Sequence, residues 1–133
     1  MLNDILQSAI IISMLTSMVR IAAPILLAGL GELVTEKAGI LNMGVEGIML
    51  TGAFIGFLVS SRTNSIPLAL LAAIIAGGLM SLLLVFLSTT LKVNQVVSGL
   101  ALNLLASGLT LYWYRVAFNS IGITPTIQTM KIY

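Results

Sequence analysis

Few side chains in this sequence can do chemistry, and most of those are crowded together. Among 133 residues there are four acids and six cations, with no Cys and no His. Three of the acids, Glu32, Glu36 and Glu46, fall within residues 29–56, GLGELVTEKAGILNMGVEGIMLTGAFIG, together with Gly29, Gly31, Gly39, Gly44, Gly47, Gly52 and Gly56. Without His or Cys there is no Ser-His or Cys-His nucleophile and no His/Cys metal site. Asp4, Glu32, Glu36 and Glu46 make a poor general acid–base set. The expectation is therefore a non-enzyme with no cofactor and no metal. Six dispersed cations form no basic patch, which excludes a nucleic-acid binder. What an acid among glycines can do is line a polar route or hold a helix junction open, because glycine permits close backbone approach.

The elements that must position these residues lie in lipid. Hydrophobic types make up 59% of the chain and charged types 8%, against about 25% charge in soluble domains. So small a domain needs a polar skin, and ten charges cannot supply it. The sequence reads as an all-α polytopic membrane protein, a single transmembrane domain over 1–133. A bilayer core about 30 Å thick needs roughly 20 apolar residues per helix. Four spans are expected, at about 8–31, 40–61, 66–91 and 96–118, with a polar tail at 119–133. Pro67 opens the third span, where its missing N–H costs nothing. Tyr112, Trp113, Tyr114 and Arg115 suit an interfacial anchor at the end of the fourth. Residues 1–4 lack a basic stretch and no small-residue cleavage site follows, so a cleaved signal peptide is not expected. Arg62, Arg115 and Lys131 on one side against Lys37 and Lys92 on the other leave the orientation undetermined.

Within this frame the glycine-rich segment has two readings. In one, Glu32, Glu36, Lys37 and Glu46 form a solvated loop. In the other, the second span starts near Gly39 and Glu46 enters the membrane. An acid at that depth marks a pathway or a paired site, and non-helical backbone survives there only inside protein or along a wet cavity. Asn42 and Glu46 are then candidates for a translocation path, on a re-entrant or broken piece of helix. The fourth span adds Gln95, Asn103 and Ser107. With Gly99, Thr110 and Tyr114 these fall in one sector of about 120°, which serves either interhelical hydrogen bonding or a solute route. Gly44, Gly47, Gly52, Gly56 and Gly99 are helix-packing candidates, Gly52 and Gly56 as a G-x-x-x-G pair. Arg20, inside the first span, either snorkels, pairs with an acid or marks a shorter span.

The run EKAGILNMGVEGIMLTGAF, Glu36 to Phe54, resembles a signature of bacterial ABC-importer permeases of the branched-chain amino acid, simple sugar and nucleoside uptake group. It is most similar to the nucleoside-type pattern of acid, base and G-[IV]-x-N-x-G-x-E-G-x-M. Glu36, Lys37, Gly39, Ile40, Asn42, Gly44, Glu46, Gly47 and Met49 fill it. A second run, KVNQVVSGLALNLLASGLT from Lys92 to Thr110, looks like the same group, and Arg20 and Pro24 suit the preceding segment. The resemblance covers about residues 17–118.

It implies a multi-pass subunit of the bacterial inner membrane, forming part of the path for a small polar solute, with nucleosides ahead of sugars or branched-chain amino acids. The implied partners are an ABC ATPase subunit, a second permease subunit and an extracytoplasmic substrate-binding (lipo)protein, besides solute and membrane lipid. The sequence has no G-x-x-x-x-G-K-[ST] phosphate loop, so ATP chemistry falls to a partner. Family members are longer, which makes this chain resemble the N-terminal part of a permease. A structural or assembly subunit, or a fragment inactive alone, is the competing expectation.

Overall fold

A computed structural model describes residues 2–118, with side chains from residue 7 onward. The expected polar tail at 119–133 lies outside the described residues. Within them the chain is helical and without strands: α1 (Leu2–Lys37), α2 (Val45–Thr63), α3 (Ile66–Val85), a π-helical turn (Phe86–Thr90) and α4 (Gln95–Phe118). Four helices, Gln7–Lys37, Val45–Thr63, Ile66–Thr90 and Gln95–Phe118, are long and apolar enough to cross a bilayer. The chain is a multi-pass helical membrane protein.

Two compact units divide it, Met1–Ala38 and Gly39–Tyr133. The first is α1, unbroken from Leu2 to Lys37 despite Pro24. It passes the expected stop at Gly31, because a helix satisfies its own backbone whether its surface is apolar or charged.

The second unit is a three-helix cluster. The α2–α3 seam is antiparallel and lined by small residues. A Cβ on Gly56 would lie 3.3 Å from Ala73 Cβ and 3.5 Å from the Ala69 carbonyl, one on Gly52 would lie 3.4 Å from the Ala73 carbonyl, and one on Gly77 would lie 3.6 Å from Ile48. Residues four apart thus face residues four apart, the pattern that lets helix backbones close up where lipid gives no hydrophobic drive. The α2–α3 turn is made by Asn64, a left-handed C-cap (φ 51°) whose N–H donates to the Ser60 carbonyl, with Pro67 in the first turn of α3.

Towards its end α3 widens into the π turn, where the Leu91 N–H reaches the Phe86 carbonyl at 3.4 Å. Lys92 then reverses the chain at φ 51°, and Asn94 caps α4 by accepting the Val96 N–H at 3.0 Å. As α2–α3 and α3–α4 both reverse direction, α2 and α4 run parallel. Their seam is where residues 41–47 of the glycine-rich segment lie.

Candidate functional site

α2 begins at Val45, and residues 40–44 ahead of it are not helical. Three features break the helix. Gly39 sits at φ +82°, a conformation open to glycine and costly to a side chain. The Asn42 side-chain oxygen accepts the Gly44 N–H at 3.1 Å, a local turn that competes with helix. Gly44 then leads into α2, whose first turn carries Glu46. Gly39–Gly44 is thus a non-helical strap ahead of a membrane-length helix.

The strap is held by α4. Gln95 Oε1 accepts the Leu41 N–H at 2.9 Å. Asn103 Oδ1 accepts the Gly47 N–H at 2.7 Å, and Asn103 Nδ2 donates to the Met43 carbonyl at 3.1 Å. Between them stands Gly99, where an added Cβ would lie 2.6 Å from Met43 Cβ, 2.7 Å from its carbonyl carbon and 2.9 Å from Gly44 N. On the facing side, a Cβ on Gly47 would meet Asn103 Oδ1 at 2.8 Å and Ala106 Cβ at 3.1 Å, and one on Gly44 would meet Leu102 at 3.1 Å. Gln95, Gly99 and Asn103, four residues apart, form the row on α4 that touches the strap. This is physically consistent with non-helical backbone in an apolar setting, which needs partners from protein.

The polar sector of α4 is divided. Ser98, Gly99, Leu102, Ala106 and Thr110 are buried. Asn103 and Gln95 are half-buried, whereas Ser107 and Tyr114 are exposed within this chain. The exposed edge lines a groove along the parallel α2–α4 seam. One stretch, of about 460 Å³, is bounded by Glu46, Gly47, Leu50, Leu100, Asn103, Leu104 and Ser107. The adjoining stretch, of about 640 Å³, shares Leu50 and Ser107 and continues to Phe54, Phe57, Thr110 and Tyr114. The groove therefore has a carboxylate at one end and aromatic rings at the other. From residue 46 to residue 57 is eleven helical steps, about 16 Å. Ser107 donates its hydroxyl to the Leu104 carbonyl at 2.9 Å, which leaves its oxygen as an acceptor on the groove wall.

Of the residues singled out from sequence, Glu46, Asn103 and Ser107 come together at the groove. Gln95 and Asn42 instead bond the strap's backbone. Gly52 and Gly56 lie on the α3 seam, away from the groove. Tyr114, already in the α4 sector read from sequence, lines the groove, whereas Phe54 and Phe57 went unrecognised as groove residues. The signal for the two Phe was their spacing, three apart on α2. No cluster of His, Cys, Asp or Glu able to hold a metal occurs among the described residues.

Membrane-length helices with a polar break ahead of one of them define a polytopic helical membrane protein, and comparison with known proteins gives the family. Residues 14–132 match the family described as branched-chain amino acid transport system / permease component, and the chain belongs to it. It is 46% identical over 100 residues to a protein of Haloferax volcanii provisionally named as a glucose ABC transporter permease, covering 75% of this chain and 30% of that protein. It is 38% identical over 103 residues to the guanosine ABC transporter permease protein NupQ of Bacillus subtilis, covering 73% and 32%. It is 31% identical over 103 residues to the nucleoside ABC transporter permease protein NupC of Lactococcus lactis, covering 73% and 32%. The chain thus spans about a third of the length of these curated relatives. No solved structure matches it.

Proposed function

We propose that this chain forms part of the permease subunit of an ATP-driven importer, and that the α2–α4 groove lines part of the path of a small polar solute. The observation that carries this is the placing of Glu46, Asn103 and Ser107 on one groove beside a non-helical strap, within helices of membrane length. Asn103 is bonded to the strap backbone, which leaves Glu46 and Ser107 as the polar groups facing the groove, and acids in membrane segments characteristically mark pathways. In this reading an ABC ATPase pair drives alternating access, a second permease subunit completes the path, and an extracytoplasmic binding protein delivers solute.

Nucleosides are the favoured solute class. Phe54, Phe57 and Tyr114 at one end of the groove offer faces to a nucleobase, and Glu46 and Ser107 at the other offer acceptors to ribose hydroxyls. Sugars are the second reading, supported by the glucose permease names among the relatives.

The test is uptake by an assembled importer carrying Glu46→Gln or Ser107→Ala at equal membrane abundance. Reduced uptake of labelled nucleoside in both supports the reading, and undiminished uptake in both contradicts it. Competition by unlabelled glucose as effective as that by nucleoside would move the assignment to sugars.

A further inference from the structure

We infer that Asn103 is a positioning residue: its side-chain amide stands in for a missing helical hydrogen bond at the start of α2 and, with Gly99 as the seat, latches the strap so that residue 46 faces the groove. In an uninterrupted helix the Gly47 N–H would donate to the Met43 carbonyl, its partner four residues earlier. Here the first bond of that kind belongs to Ile48, donating to Gly44 at 3.0 Å. The Gly47 N–H and the Met43 carbonyl are instead joined through Asn103, which accepts from one at 2.7 Å and donates to the other at 3.1 Å. Side chains inserted into the helical ladder are a recognised cause of helix breaks. A side-chain amide offers a donor and an acceptor side by side, and both are used on the backbone of the break.

Gly99 makes the geometry possible, because its missing Cβ is the space that Met43 and Gly44 occupy. Gln95, one turn earlier, fixes the outer end of the strap through Leu41. Asn103 therefore acts on the groove through the strap and α2, and Glu46 and Ser107 remain to meet solute. The functional meaning rests on the groove reading above; the latch itself does not.

The chain has no Cys, so Glu46→Cys supplies a single thiol whose modification by a membrane-impermeant maleimide reads the position of residue 46 in lipid vesicles. Thr63→Cys, at the opposite end of α2, is the reference. Adding Asn103→Leu changes the rate at position 46 by about fivefold to tenfold, the population shift that two lost membrane hydrogen bonds allow, and Gly99→Ala, which unseats the strap, changes it in the same direction. Position 63 stays unchanged. Gly108→Ala leaves both rates alone, since nothing lies within 4 Å of that added Cβ.

A pH series with Asn103→Asp separates the latch from simple packing. As an acid the introduced carboxyl donates to Met43 and accepts from Gly47; as a carboxylate it has no proton to donate. Glu46 is the one ionisable side chain sharing that stretch of groove, and the thiol replaces it. Relative to Ser107→Asp, which puts the same charge on the groove without touching the strap, labelling at position 46 moves with rising pH in the direction in which Asn103→Leu moves it. A flat ratio, an unchanged rate in Asn103→Leu and Gly99→Ala, or equal changes at positions 46 and 63 would overturn the latch. Intact uptake by both Glu46→Gln and Ser107→Ala would overturn the transport reading and leave the latch standing.

Discussion

Asn103 and the glycines opposite it show how single atoms govern this segment. Gly99→Ala drives a methyl against Met43 backbone rather than against a movable side-chain tip. Overpacking of that kind costs about 1–3 kcal/mol. Gly39→Ala has open space around its Cβ but a backbone at φ +82°, and costs about 1–2 kcal/mol for conformation alone. Thermal unfolding of detergent-solubilised chain should show both as lowered midpoints, with Gly108→Ala at or near the parent value. The polar sector on α4 was legible in the sequence, from Gln95 every fourth residue to Ser107. Its division of labour was not: spacing puts Gln95, Asn103 and Ser107 on one side of a helix but says nothing of whether an amide meets backbone or a cavity. That depends on where the strap lies, and the strap's course is set by dihedral angles at Gly39 and Asn42 that hydropathy does not encode.

At the scale of elements, long charge-free runs announced the four helices, because few other structures satisfy backbone groups in hydrocarbon. Their ends were less legible. Gly31 looked like a stop and α1 runs through it; for α2 the sequence left residue 40 and Val45 both open as starts, and the helix begins at Val45. The π turn at Phe86–Thr90 has no signature in composition. The α2–α3 seam makes a direct prediction. Gly56→Cys with Ala73→Cys places two Cβ atoms close to the separation that a disulfide spans, about 3.5–4.5 Å, against 3.3 Å for a Cβ built on Gly56. Mild oxidation should cross-link this pair and leave Gly56→Cys with Gly78→Cys unlinked, as read by cleavage between the helices and gel mobility. Linkage of the second pair alone would mean that the antiparallel register is wrong.

For the whole molecule, parallel α2 and α4 with α3 antiparallel to both put Lys92 at one membrane face and Thr63 and Val116 at the other. Single thiols at Lys92 and at Thr63 should therefore be modified from opposite sides of a sealed vesicle, and thiols at Thr63 and Val116 from the same side. Resemblance in two separated runs had already indicated an importer permease, and the family match over residues 14–132 bears that out. The chain spans about a third of the length of its curated relatives.

The most direct test of the groove as a path uses a thiol at Ser107, leaving Glu46 and Asn103 in place, in an assembled importer whose other subunits lack cysteine. Maleimide modification is timed with and without transported solute. The account predicts that saturating nucleoside slows modification at position 107 several-fold while a thiol at Thr63 reacts at an unaltered rate. Equal rates at position 107 with and without solute, in an importer shown to be transporting it, would contradict the account.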